Sequence, residues 1–168
     1  VVKQIKHKPD SVPFCFPTEC PECSAPIVKN PDEVAMRCEN PNCPATRLQN
    51  IRHFASREAM DIDGLGSANI KALIDANLIS SAADLYDLTV EDLLPLERFA
   101  EKSSQNLIRS IQASKNNPFF RLLTGLSIPG VGQSVAKLLE SKYSDIDEII
   151  EADAQELAEI YGIGEIMG

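Results

Sequence analysis

Three things are missing from this chain of 168 residues, and each excludes something. No apolar run is long enough to cross a bilayer. The opening stretch VVKQIKHKPDSVPF also lacks the apolar centre of a secretory leader. The expectation is therefore a soluble, cytoplasmic protein. Lys and Arg are absent from residues 144–168, where eight acidic residues fall. The net charge of −9 argues on its face against a nucleic-acid partner. Residues 1–143, however, hold 16 basic and 17 acidic side chains. The acidity belongs to the C-terminal end, and a polyanion-facing surface elsewhere is not excluded. Cysteine is absent after position 43, so all five cysteines crowd into the first 43 residues. The 43% apolar content suffices for one ordinary domain or two small ones.

Four of the cysteines, Cys20, Cys23, Cys38 and Cys43, read C-x2-C-x14-C-x4-C. Two close pairs joined by a short loop match the needs of a tetrahedral Zn²⁺ site, each pair supplying two thiolates from one turn. The loop contains Ile27, Val28, Val34 and Met36, enough for a minimal hairpin but too little to fold without a staple. Disulfides are the competing reading. The odd cysteine count and the absence of a leader weigh against them. With four thiolates and no open position, the zinc is expected to be structural. Cys15 falls outside the spacing, and His7 and His53 lack ligand spacing and read as surface or packing histidines. Pro44 suits a first helical position, which puts Cys43 at a helix N-terminus.

The rest of the chain is organised around glycine pairs. Gly64-Leu65-Gly66, Gly130-Val131-Gly132 and Gly162-Ile163-Gly164 recur, and Arg98-Phe99-Ala100 fills the slot between the first two. The first positions are then 34, 32 and 32 residues apart, a period that marks a repeated supersecondary unit. The register holds away from the glycines. Ile62, Leu96, Ile128 and Ile160 lie two residues before, and Leu65, Phe99, Val131 and Ile163 lie between the pair. Leu73, Leu107 and Leu139 lie nine residues on. All are apolar, which predicts four copies of helix, hairpin, helix with these residues in the core. The helix before the first hairpin places Leu48, Ile51, Ala55 and Ala59 on one face. Thr89-x-x-Asp92 reads as a capping signal, and Asp153 as an N-cap.

An apolar residue, any residue, Gly, an apolar residue, Gly and then a helix resembles the helix-hairpin-helix motif. The resemblance implies that hairpin amides bind DNA phosphates without reading bases. Glycine removes the Cβ so that a phosphate oxygen can reach the amides. The implied contact residues are Gly64, Gly66, Gly130, Gly132, Gly162 and Gly164. Lys71 and Lys137, at one register position, and Lys102 and Arg98, in the second copy, are either added phosphate contacts or ordinary solvated helix faces. Arg98 and Ala100 put the phosphate site of the second hairpin in doubt.

A four-cysteine module followed by helix-hairpin-helix copies resembles the C-terminal half of the bacterial NAD-dependent DNA ligases. FPTECPEC, CENPNCPA, IRHFASREAMDIDGLG, FAEKS and GLSIPGVG carry the likeness in that family's order. The resemblance implies a mainly α fold: residues 1–17 as the end of an OB-fold and linker, 18–48 as a zinc finger, and 49–168 as four helix-hairpin-helix copies, the last cut off. It implies a parent enzyme that uses NAD and Mg²⁺, seals nicks in duplex DNA during replication and repair, and works in the bacterial cytoplasm on the nucleoid. There a lysine takes AMP from NAD and passes it to the 5′-phosphate, and the 3′-hydroxyl then displaces AMP. This portion would grip the duplex around the nick in the minor groove, with zinc bracing the joint between OB-fold and hairpins. The residues alone leave two other readings open: a DNA-structure-binding module of another repair or recombination protein, and a protein–protein scaffold. The family's nucleophile lies in Lys-x-Asp-Gly, and no lysine here begins that motif. The expectation is an expressed fragment, inactive alone. Incubation with labelled NAD should leave it without a covalent AMP adduct; a stoichiometric adduct would overturn the reading of these residues as non-catalytic.

Overall fold

A computed structural model describes residues 15–29, 35–40, 42–158 and 160. The chain separates into two compact units, Val1–Pro44 and Ala45–Gly168. The architecture is mainly α, with one two-stranded sheet among the described residues. None of the described helices is long and apolar enough to cross a membrane.

In the first unit, strand β1 (Ile27–Lys29) pairs antiparallel with β2 (Met36–Cys38), Ile27 opposite Cys38. Before β1 the backbone folds tightly. The Cys20 N–H donates to the Ala25 carbonyl and the Ser24 N–H to the Cys20 carbonyl, both at 2.8 Å. Ile27 and Met36 are only half-buried and Val28 is exposed, so none of the described apolar side chains of the two strands is buried. Val34, also expected to support the hairpin, lies outside the described residues.

The second unit repeats one plan. A first helix runs into a tight turn, and a second helix starts one residue after the second glycine position. Those second helices are α2 (Ser67–Asp75), α4 (Glu101–Ser114) and α6 (Gln133–Lys142). The helices that enter the turns are α1 (Pro44–Phe54), α3 (Val90–Leu93) and α5 (Phe119–Gly125). A 3-10 turn over Ala83–Asp87 links the first two copies. Two short helices, α7 (Ile146–Glu151) and α8 (Ala154–Ala158), lead towards the fourth. Thr89 caps α3 reciprocally with Asp92, and Asp153 accepts from the Glu156 N–H at 2.7 Å, as the sequence predicts.

Copies one and two share one core. Ile51, Phe54, Ile62, Leu65, Ile70, Leu73, Leu85, Leu93, Phe99, Leu107 and Ile111 are all buried in one cluster. Leu48 packs on its edge, and Ala55 and Ala59 are buried too. The third copy has a second, thinner core of Leu123, Ala136, Leu139 and Tyr143, with Ile160 packed against it. Polar links join α5 to the first copy. One Arg121 nitrogen donates to the carbonyls of Arg57 (3.0 Å) and Ala59 (2.7 Å). The His53 Nε2 lies 2.9 Å from the Thr124 carbonyl. A carbonyl only accepts, so that nitrogen carries the proton. Gly125 sits where a Cβ would come within 3.0 Å of the Phe54 ring.

Not every residue of the apolar register is buried. Leu96 and Val131 are half-buried, and Ile128 is 40% exposed. The first two hairpins face one common core, whereas the four buried residues of the second core leave Ile128 uncovered. Stability should report this difference. Leu73→Ala should lower the unfolding free energy by about 2–5 kcal/mol, and Ile128→Ala by less than about 1 kcal/mol. Urea denaturation followed by circular dichroism measures both; equal losses would contradict the division into covered and uncovered hairpins.

Candidate functional site

The four spaced cysteines converge. Their sulfurs all lie within 4.8 Å of one another. Cys20 and Cys43 are 3.8 Å apart, and Cys23 and Cys38 3.6 Å. A tetrahedron with metal–sulfur bonds of about 2.3 Å has edges of about 3.8 Å, so the donor set fits zinc. The pairing crosses the two motifs, each close contact joining one cysteine of each pair. None of the five cysteines is in a disulfide. Cys43 is fully buried at the start of α1, directly before Pro44. Cys15 is exposed and lies outside the cluster.

The thiols do not share one electrostatic environment. The Ala25 N–H, then the Asn40 side chain, hold the Cys23 thiol below its ordinary range. At Cys38 the Asn40 N–H favours the thiolate, but desolvation and the sulfurs of Cys23, Cys20 and Cys43 outweigh it and push the thiol up to about 12. Crowded thiolates repel one another, and a divalent cation between them removes that repulsion.

The hairpins present backbone. Gly64 and Gly130 have φ of +89° and +81°, a conformation that glycine takes without steric cost. Gly66 and Gly132 differ. Both are extended N-cap residues, with φ of −71° and −85°. A Cβ on either would meet nothing within 4 Å. Ala100 occupies the same position in the second copy, with φ −100° and ψ 163°. The turn itself therefore accepts a Cβ, and the fold does not account for glycine at 66 and 132.

The helices that follow these glycines are open at their N-termini. No side chain caps α2 or α6. Some of the other helices are capped. Thr89 caps α3 and Asp145 caps α7. The Glu140 carboxylate accepts from the Phe120 N–H in α5. In the second copy no side chain caps the first amides of α4; the Ser103 hydroxyl accepts from the N–H of the N-cap residue Ala100 itself, at 2.9 Å. Gly130 and Gly132 line a groove of about 470 Å³ that also holds His53, Glu58, Thr124 and Gln133. Its carboxylate and the open amides give the groove both signs of charge.

The cations expected near the hairpins differ in their surroundings. Lys71 is bound to Asp75 at 3.0 Å. Lys137 lies 4.9 Å over the Phe120 ring. Lys102 and Arg98 are exposed. Gly162 and Gly164 lie outside the described residues, as does His7. His53 packs against α5, in line with its reading as a packing histidine. Sequence reasoning missed two residues that shape the turns. Asp61 (φ 50°) and Ser127 (φ 55°) both stand three residues before the first glycine, in the left-handed region. Pro95 holds that place in the second copy. A short polar residue at a fixed offset before two glycine pairs was the available signal.

Comparison with known proteins agrees with the geometry. Residues 19–45 match the family model of the NAD-dependent DNA ligase C4 zinc finger domain. Residues 56–113 match a SAM-like helix-hairpin-helix tandem, and residues 121–168 a helix-hairpin-helix motif. A DNA ligase of Hydrogenobaculum sp. is 49% identical over 99% of this chain and 24% of its own length. Those of Bacillus pumilus and Gemmatimonas aurantiaca are 49% and 44% identical over 92% of the chain, and 23% and 22% of their own lengths. The chain thus spans about a quarter of the length of the curated relatives it matches.

The cysteine cluster should hold one zinc per chain, checked by elemental analysis. Acidification should release it, because protons compete for the thiolates. Cys38→Ser should abolish tight binding and unfold residues 18–48 first, and Cys15→Ser should do neither. Protein purified without chelator, with reduced thiols and no zinc, would sink the assignment.

Proposed function

We propose that this chain, a segment of the NAD-dependent DNA ligase family by its zinc finger and its hairpin tandems, is the part of such an enzyme that holds duplex DNA. The observation that carries the proposal is the pair of N-cap glycines, Gly66 and Gly132. They lead uncapped helices and have open space where a side chain would stand. The first amides of α2 and α6 have no intrahelical acceptor. The helix dipole adds positive potential at the same point. A phosphate oxygen satisfies both, and the missing Cβ lets it approach. Gly64 and Gly130 shape the turns that bring these ends outward, and by the same register Gly162 and Gly164 serve the fourth copy. Phosphates carry no base identity, so the grip is independent of sequence. It also needs few cations, which reconciles it with a net charge of −9.

Cys20, Cys23, Cys38 and Cys43 would hold a structural zinc. Four thiolates leave no position for a reacting group, and the ion would staple a hairpin whose described apolar residues, Ile27, Val28 and Met36, are not buried. Residues 49–168 are the duplex-binding domain. The whole enzyme would use NAD and Mg²⁺ to seal nicks in the nucleoid DNA of a bacterium, in replication and repair. The nucleophilic lysine would come from outside this chain, and the present residues would bind and orient the nicked duplex.

The test uses Gly66 and Gly132, because a side chain at Gly64 or Gly130 strains the turn itself. Gly132→Val, and Gly66→Val with it, should leave the melting temperature within a few degrees of the parent. Both should weaken binding to two unrelated nicked duplexes alike, as read by fluorescence anisotropy. If the folded variants bind both duplexes as tightly as the parent, the hairpins do not cradle phosphate.

A further inference from the structure

Resting on the duplex-binding reading, we infer that the second copy holds the backbone differently: its phosphate contact is the solvent face of α4, centred on Lys102 and Arg109, in place of its hairpin. Two features of the second copy obstruct the turn as an amide site. Ala100 puts a Cβ where the other copies have none, and Arg98 replaces the first glycine. The helix that follows has gained what the turn has lost.

The gain shows at three register positions. Four residues after the first glycine position stand Ala68, Lys102 and Ser134. Seven residues after stand Lys71, Gln105 and Lys137, and eleven after stand Asp75, Arg109 and Ser141. In the first copy Lys71 and Asp75 neutralise each other. The second copy has two cations and no acid at these positions. Residues 102–117 contain no Asp or Glu at all, in a chain that carries 25. The buried side of α4 is Ser104, Leu107, Ile111 and Ser114. At 100° per residue, Lys102 and Arg109 fall near the middle of the opposite side, with Gln105 and Asn106 between them, all exposed. The flank carries one carboxylate, Glu101, which accepts from the Gln105 side chain at 3.3 Å.

Helix stability does not explain this pattern. Lys102 lies in the first turn of α4, where a cation opposes the helix dipole. Lys102 and Arg109 are two turns apart, about 10.5 Å along the axis, too far to share one phosphate. The amides between them are further donors to phosphate or sugar oxygens. A cationic and amide-rich stripe on an acidic protein fits a polyanionic backbone better than it fits an acidic protein surface, because no apolar side chain stands at its centre to anchor a folded partner.

Side-chain cations and backbone amides leave different signatures in salt. Each cation–phosphate contact contributes about −0.9 to the slope of log affinity against log salt. Binding of the full chain to a nicked duplex is measured by anisotropy across a salt series. Lys102→Gln with Arg109→Gln should weaken binding and make the slope shallower by about 1.8. Lys115→Gln removes one charge from the opposite side of the same helix, where Lys115 lies 5.4 Å from the Tyr86 ring, and should leave the slope near the parent's. Gly132→Val should weaken binding at nearly constant slope. A folded double variant with parental affinity and slope overturns the assignment, and so does a Lys115→Gln variant that matches the per-charge loss. If Gly132→Val binds like the parent while the double variant loses its slope, the hairpin reading fails and the α4 contact stands. A parent chain that binds no duplex overturns both.

Discussion

The first two hairpins depend on one buried side chain each. In the first two copies the residue between the glycine positions, Leu65 or Phe99, is driven into the shared core, while its neighbours on both sides are exposed. Burying one residue of a three-residue turn forces the flanking backbone outward. The hydrophobic effect thus sets the direction of the amides, and polar bonds at the turns add to it: the Asp63 N–H donates to the Ser110 hydroxyl, the Asn69 side chain to the Gly64 carbonyl, and the Ala100 N–H to the Ser103 hydroxyl. The helix that follows is aligned by the same core, through Ile70 and Leu73 in α2 and Leu107 and Ile111 in α4. Turn and helix end are aimed as one rigid piece.

Two solutions to the same shortage appear in the chain. The second unit buries enough apolar surface to fix its helices. Among the described residues of the first unit, Ile27, Val28 and Met36 are not buried, and four sulfurs converge beside them. The sulfurs lie within 4.8 Å of one another, and four thiolates at that spacing repel one another. A zinc ion turns that repulsion into attraction. The module is therefore organised around a charge, and the hairpin copies around apolar contact.

Much of this was legible in the sequence, and the residues that escaped it share a cause. Cysteine spacing, the glycine register and the caps at Thr89 and Asp153 are local, and local chemistry decides them. Leu73 and Ile128 look alike in the register, yet one is fully buried and the other 40% exposed. Periodicity tells which side of an element is apolar, but not whether a second element covers it. The left-handed residues Asp61 and Ser127 were hidden because Asp and Ser carry little left-handed bias compared with glycine. The pairing of Lys71 with Asp75 was readable as an i, i+4 pair.

The uncapped ends of α2 and α6 have a consequence for motion along a polymer. A capping side chain is a fixed partner, and it satisfies an amide once. A phosphate chain offers the same partner again at every step, about 3.4 Å along each strand. Backbone amides that meet only this repeating group, on the proposed reading, find nearly the same energy at every register of the duplex. The landscape for sliding is then close to flat, and displacement costs little more than the breaking and remaking of contacts. Such a clamp has no preferred address of its own.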